Sequence, residues 1–296
     1  MRCRVCRGNA AIEVRRHNAA FCPDHFIEHV RRQVGRTIHD YAMFHADERL
    51  AVGVSGGKDS LALWDILHHL GYRAEGIYLD LGIGGYSKDS LTRVQTFAEK
   101  RDLILHSIGL AQQYGFSVPD AAKATRRTAC SACGLSKRYI LNEEAARRGF
   151  DVLVMGHNLD DEAATLFSNV LNWNVEYLGR QRPVLPASDG LVKKVKPLIR
   201  VAERETAAYA ILSGIDYEVE ECPMVEGNTV NRLKEWMTLL EQRSPGITQH
   251  FLGGFFDRVS DRFAVEIPDL HPCSDCGRPT TGERCAFCRL QERAMQ

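Results

Sequence analysis

The sequence has no apolar run approaching the roughly 18 residues of a membrane span, which argues against a membrane-embedded protein. Its first residues, MRCRVCRGN, lack the apolar core of a signal peptide, so the expected compartment is the cytoplasm. It has no net charge either, because 38 Lys and Arg balance 38 Asp and Glu. That balance argues only weakly against a nucleic-acid partner, since local distribution counts for more than the total. Internal repeats and sustained heptads are absent, which removes solenoids and coiled coils. The hydrophobic share of 44% is that of a globular chain. A chain of 296 residues can bury a sizeable core, as one large domain with appendages or as two domains.

Cysteine, by contrast, is plentiful, with ten residues in a chain expected where stable disulfides are uncommon. They fall as 3/6/22, 130/133/222 and 273/276/285/288, a pattern of three metal sites. Cys3-x2-Cys6 and Cys22-x2-His25 supply two close pairs, the donor set of a tetrahedral zinc site, with His29 as an alternative fourth ligand. Little apolar sequence surrounds them, so the metal would contribute folding energy directly. Cys273, Cys276, Cys285 and Cys288 form a second closed set, fit for zinc or for rubredoxin-like iron. Cys130, Cys133 and Cys222 are one thiolate short of a closed zinc site. Three readings fit them: a [4Fe–4S] cluster with one open iron, a disulfide with Cys222 relaying persulfide, or inert buried thiols.

Leu50–Val54 is a five-residue apolar run that reads as a strand, and Ser55, Gly56 and Gly57 form a turn before helical spacing begins at Leu61. Glycine lets a ligand approach the backbone, and the first amides of a following helix favour an anion. Lys58 and the hydroxyls of Ser55 and Ser60 add phosphate contacts. The stretch is not a Walker A loop: Gly53 stands one residue too close to Gly57, and Asp59 rather than Ser or Thr follows Lys58. SGGKDS instead resembles the pyrophosphate loop of the ATP-pyrophosphatase superfamily, whose members cleave ATP between its α and β phosphates and adenylate a carbonyl oxygen. The resemblance implies that Val54–Ser60 holds the leaving pyrophosphate.

Elsewhere, periodicity predicts a helix from Phe26 to about Phe44 with a basic outer face (Arg31, Arg32, Arg36), and a βαβ unit through Leu61–Leu70 and Arg73–Leu79. GIGGYS, Gly82–Ser87, reads as a loop lying low over a nucleotide, and Leu103–Ile108 as a third strand. Asp80, at a strand's carboxyl end, suits either nucleotide binding or a turn. Cys130-x2-Cys133 is expected just before a helix Leu135–Arg148, which would put Lys137 and Arg138 in its first turn, where cations are disfavoured unless they face phosphate. Asp151–Met155 is a fourth strand. GHNLDDEA then gathers Gly156, His157, Asp160, Asp161 and Glu162 at a turn into a helix, more acids than capping needs. Trp173–Val195 is expected to be irregular and to carry the chain around the sheet's edge, with a basic cluster at Lys193, Lys194, Lys196 and Arg200. Helices are expected at Val201–Leu212 and Arg232–Arg243.

Taken together, CxxC…CxxH, SGGKDS, GIGGYS, CSACGLSKRY (Cys130–Tyr139), GHNLDDEA, ECP (Glu221–Pro223) and the terminal four cysteines resemble the two-zinc-finger tRNA 2-thiouridine synthetases over essentially the full length, most closely the bacterial branch acting at position 54. The resemblance implies a doubly wound parallel α/β sheet of the adenine-nucleotide alpha-hydrolase-like type, flanked by zinc fingers. It divides the chain into a finger (1–26), a linking helix (27–48), a catalytic domain (49–222), a helical region (223–268) and a second finger (269–296). ATP and Mg²⁺ would bind at Val54, Ser55, Gly56, Gly57, Lys58, Asp59, Ser60, Asp80, Gly156 and His157. Cys130, Cys133 and Cys222 would hold a [4Fe–4S] cluster, two Zn²⁺ would fill the end sites, and Lys137 and Asp161 would be catalytic. The implied partners are tRNA, a ubiquitin-like sulfur carrier with a thiocarboxylate terminus or sulfide itself, and a second copy of the chain. The alternatives are 2-thiolation at wobble position 34, an ATP-dependent amidating ligase, and a nonenzymatic zinc-finger RNA-binding protein.

Overall fold

The computed structural model describes residues 1–125, 127–188, 190–225, 229–263 and 269–296. Strands β1 (Ile12–Val14) and β2 (Ala19–Phe21) pair antiparallel across a short 3-10 turn, Arg15–His17. Helix α1 (Pro23–Asp40) follows, with proline in its first turn, where a missing N–H costs nothing. Its stripe Phe26, Val30, Val34 and Ile38 is buried.

The core is a six-stranded sheet of β3 (Leu50–Val54), β4 (Ala74–Asp80), β5 (Leu105–Gly109), β6 (Val152–Val154), β7 (Val184–Leu185) and β8 (Lys193–Val195). Their order is β5-β4-β3-β6-β8-β7, parallel throughout except for the antiparallel edge strand β7. Alternation along each strand divides the core between two faces. Leu50, Val52 and Val54 face a cluster shared with α1, α2 (Lys58–His69), α3 (Gly84–Glu99) and α9 (Glu203–Leu212). Ala51, Ile77 and Leu79 face the other, built with α4 (Leu110–Tyr114), α5 (Val118–Ala124), α6 (Ala129–Arg147) and α12 (Ala286–Met295). Helices α7 (Leu159–Leu171), α8 (Val175–Arg180), α10 (Thr229–Arg243) and α11 (Ile247–Arg258) make a third cluster beside the sheet. Cys273 and Cys276 lie between the short paired strands β9 (His271–Pro272) and β10 (Pro279–Thr280), Cys285 and Cys288 at the start of α12, and Phe287 of α12 stacks on Tyr139 of α6 at 4.0 Å.

Four expectations need correction. The CxxC doublet is not ahead of its helix but inside the first turns of α6, because Thr128 caps that helix by accepting the Ser131 N–H. Lys137 and Arg138 therefore lie two turns in, and the dipole argument for them lapses. GIGGYS is helical from Gly84, since Ser87 Oγ accepts the Ile83 N–H and closes the first turn. Residues 173–195 do not merely skirt the sheet; they add β7 and β8 to it. Residue 268, the expected end of the helical region, lies outside the described residues.

Candidate active site and metal centres

The strand order reverses between β3 and β6, and in open α/β sheets ligands bind at such a switch point, beyond the strands' carboxyl ends. A cavity of about 310 Å³ lies there. Val54, Ser55, Gly57, Asp59 and Ser60 line it from the loop after β3; Met155, Gly156, His157 and Asp161 line it from the turn after β6; Lys137 reaches it from α6. Two glycines make the closeness possible. Gly56 has φ +85°, and a Cβ there would stand 3.1 Å from Ser90. A Cβ on Gly156 would stand 3.2 Å from the Ser60 backbone. Gly57 precedes α2 without any side-chain cap, so the first amides of α2 are left to a ligand. The loop is shaped in advance: Ser60 Oγ accepts the Ser55 N–H at 3.1 Å and donates to Gly57 O at 3.0 Å.

Asp80 does not line this cavity; its carboxylate accepts the Gly82 N–H at 2.8 Å, which is the turn role. Lys58 lies beside the cavity, with Nζ 2.7 Å from Glu203 and 3.1 Å from Asp59. Burial works against its charge, but the two carboxylates outweigh that and raise its pKa. Asp161 forms a capping box with Asn158 and pairs through Oδ1 with Lys234 Nζ at 2.7 Å. Burial lowers the pKa of His157, whose imidazole stands 3.7 Å from Glu162. Glu203 and Lys234 escaped the sequence reading as site residues. Glu203 looked like a first-turn helix acid, and no motif surrounds Lys234.

None of the ten cysteines is paired in a disulfide. Cys130 and Cys133 come from α6 and Cys222 from the loop after α9, all half-buried. They are near enough to one another that, after burial, Cys133 and Cys222 are what most raise the Cys130 pKa. Tyr86 joins the two regions: it lines the cavity, and its hydroxyl pKa is raised by burial and then by Cys222. The three thiols do not gather within 4.8 Å as ligands of a single ion would, whereas the two end sets do. In the first end set Cys6 and Cys22 Sγ are 3.9 Å apart, and Cys3 Sγ is 3.7 Å from His25 Nδ1. In the second, Cys273–Cys288 and Cys276–Cys285 are 4.0 and 3.9 Å. Thiolates bound at about 2.3 Å to one tetrahedral ion stand about 3.8 Å apart. Burial works against the thiolates of Cys3 and Cys273, but amide N–H groups of the surrounding turns outweigh it and bring both pKa values to about 6. His29 is no fourth ligand: it contacts His17 at 3.3 Å and stacks on Phe21.

Charge distribution outside the cavity also differs from the sequence reading. Lys193, Lys196 and Arg200 are paired with Glu48, Glu162 and Asp40, so that cluster is largely neutralised. Between the first finger, α1 and α11 lies a larger groove of about 1120 Å³, lined by Arg4, Arg32, Arg36 and Arg258 among others.

Residues 2–27 match the family described as the N-terminal LIM domain of the 2-thiouridine synthetase TtuA, and residues 27–235 match the PP-loop domain family. The chain is 48% identical to the tRNA-5-methyluridine(54) 2-sulfurtransferase of Thermus thermophilus over 98% of its length and 91% of the relative's. It is 40% identical to the enzyme of the same name from Pyrococcus horikoshii, covering 98% and 93% of the two chains. Its fold matches that of the U34-tRNA thiolase NcsA from Methanococcus maripaludis, solved with its [4Fe–4S] cluster, at a TM-score of 0.85, with 25% identity and 99% and 96% coverage.

Proposed function

The chain belongs to the tRNA 2-thiouridine synthetases of the PP-loop superfamily and is an ATP-dependent sulfurtransferase acting on tRNA; we propose that it replaces O2 of uridine 54 with sulfur. The observation that carries the chemistry is the meeting of two sites: a phosphate-shaped cavity at the switch point, and three half-buried thiols next to it across Tyr86. In the first half-reaction, O2 of uridine attacks the α-phosphate of ATP, a new O–P bond forms, and pyrophosphate leaves. The uncapped amides of α2, with Ser55, Ser60 and Lys58, receive the leaving group. Lys137, at the cavity wall, stabilises the adenylate, and Asp161, also on the wall, would help hold a Mg²⁺ that neutralises phosphate charge, or would move a proton. In the second, a sulfide-level nucleophile attacks C2, the C2–O bond breaks, and AMP departs.

Cys130, Cys133 and Cys222 fit a [4Fe–4S] cluster by number, by proximity and by their failure to converge on a single ion. Such a cluster supplies one iron without a protein ligand, open to sulfur. The end sets fit Zn²⁺ by their spacing. On this reading residues 49–222 perform the chemistry, 27–48 and 223–268 support them, and 1–26 and 269–296 are metal-folded modules. The target base must leave its stack to reach the cavity. The arginine-lined groove beside the first finger receives RNA phosphates, so tRNA affinity falls as salt rises. A thiocarboxylated carrier protein supplies the sulfur, and the protein acts as a homodimer in the cytoplasm.

Position 54 rests on the two sulfurtransferases of that name. The wobble reading, uridine 34, has its own support in the fold match to a U34 thiolase. One experiment tests both: the anaerobically reconstituted protein is given ATP, sulfide and unmodified tRNA, and the digested tRNA is mapped by mass. Sulfur at nucleotide 54 supports the main reading and sulfur at 34 the second. Absence of any thiolated uridine overturns both.

A further inference from the structure

Five charged side chains form a string of alternating sign whose two ends line the cavity: Asp161, Lys234, Glu203, Lys58 and Asp59. Lys234 Nζ lies 2.7 Å from Asp161 Oδ1 and 2.7 Å from Glu203 Oε2. The other oxygen of Glu203 lies 2.7 Å from Lys58 Nζ, which also touches Asp59 at 3.1 Å. Each ammonium thus spends donors on two carboxylates. Four helices contribute, α7, α10, α9 and α2, so the string ties the first residues of α2, where the phosphate loop ends, to the acid on the opposite wall.

Lys58 stands beside the cavity rather than in its wall, so to meet a phosphate there it must swing away from one of its two carboxylates. Asp59 is held locally, accepting from Asn158 Nδ2 at 3.2 Å and from Thr206 Oγ1. Glu203 is the partner that can release Lys58, because Lys234 remains as its counterion. Without Lys234, releasing Lys58 would leave Glu203 as an unpaired, partly buried anion, which is costly. The side chain of Lys234 is only 20% exposed. Burial works against its charge, yet Asp161 and Glu203 outweigh that and raise its pKa, so it is a permanent cation.

We propose that Lys234 is a positioning residue for adenylation: by holding Glu203 and Asp161 it lets Lys58 turn from Glu203 to the departing pyrophosphate. The inference rests on the ATP-binding reading of the cavity.

The test is calorimetric binding of inorganic pyrophosphate, and of ATP, to the full-length protein and its variants. Lys234→Met should weaken pyrophosphate binding about tenfold, since the ion pair lost is partly rather than fully buried. Lys234→Arg should stay near wild type. The double variant Lys234→Met/Glu203→Gln should recover to within about threefold, because the anion that retains Lys58 is gone. A purely structural role for Lys234 predicts no such recovery. Glu203→Gln alone should bind pyrophosphate at least as tightly as wild type, a readout that stands even where Lys234→Met does not fold. Wild-type affinity in Lys234→Met, no recovery in the double variant, or weakened binding in Glu203→Gln overturns the inference and leaves ATP binding standing. A wild-type protein that binds neither pyrophosphate nor ATP overturns the ATP reading itself, and the inference with it.

Discussion

Arg16 is the side chain whose removal should most separate the first finger from the catalytic domain. It lies in the turn between β1 and β2, yet its partners are far along the chain. Nε and Nη2 reach the two oxygens of Glu205 at 3.0 and 2.5 Å, Nη1 reaches Gln249 Oε1 at 2.7 Å, and Nη2 also reaches Arg200 O at 2.8 Å. The side chains of Arg16 and Glu205 are 4% and 6% exposed. Exposed ion pairs contribute about 0–1 kcal/mol, but breaking a buried one strands a charge and costs about 3–5 kcal/mol. Against a total of about 5–15 kcal/mol, Arg16→Met should forfeit about a fifth of the stability or more. The thermal midpoint should fall by roughly 6–15 °C, at a few degrees per kcal/mol. Glu205→Gln added to Arg16→Met should recover about half of the loss, because it removes the stranded anion while its amide oxygen can still accept the Ala202 N–H that Glu205 accepts at 3.0 Å. Urea and thermal unfolding measure both variants, and tRNA binding should suffer more than ATP binding because the groove's finger wall moves. A single-variant loss below about 1 kcal/mol, or a double variant no better than the single, would refute the reasoning.

Three other perturbations have definite outcomes. Gly56→Ala places an L-residue at φ +85° and a Cβ 3.1 Å from Ser90; stability should drop by about 1–2 kcal/mol and the KM for ATP should rise, and an unchanged KM would contradict the close-approach role. Burial, with the charge of His17 adding to it, holds the His29 pKa down to about 4, below an unfolded value of about 6.5. Its contribution is therefore fully present above pH 6.5, is lost as pH falls from 6.5 towards 4, and changes no further below 4. Partial exposure limits the effect to on the order of 1–2 kcal/mol. His29→Phe should flatten the fall in thermal midpoint between pH 7 and 4.5, and parallel curves would refute this. Cys273→Ser should lower zinc content from two ions per chain to one and impair thiolation more than ATP binding, since α12 braces α6 through Phe287 and Tyr139; an unchanged metal content would dismiss the second zinc site.

What the sequence made legible was local. Leu50–Val54 announced a buried strand, and SGGKDS a phosphate turn, because both depend on neighbouring residues alone. The end cysteines were legible because paired knuckles dictate their own spacing. The start of α6 was misplaced because its first turns hold Cys130, Cys133 and Gly134, poor helix formers whose cost is met by the Thr128 cap and by packing of Ile140, Leu141 and Ala145. Nothing in the sequence singles Arg16 out among the arginines near it, since its partners Glu205 and Gln249 lie 189 and 233 residues away. Lys234 and Glu203 were invisible for the same reason: a charge string made of four helices leaves no trace in any one of them.

Helix α6 explains why the two halves of the reaction share one scaffold. Cys133 and Lys137 are four residues apart on it, about one turn or 6 Å along the axis. One end of that turn belongs to the thiol site and the other to the nucleotide cavity. An adenylated uridine is a reactive intermediate, and water competes with sulfur for its C2. A sulfur source carried on a separate mobile domain would have to arrive after adenylation, leaving the intermediate open to hydrolysis. On the proposed reading, one helix buried at Ala132, Ser136 and Ile140 would shorten that interval by fixing the distance between the thiols and the adenylate. Tyr86, on α3, lines the cavity and lies near enough to Cys222 for that thiol to raise its hydroxyl pKa, so one side chain borders both sites. On the same proposed reading the terminal finger has a bracing role, because Phe287 and Tyr139, stacked at 4.0 Å, hold α6 two residues beyond Lys137.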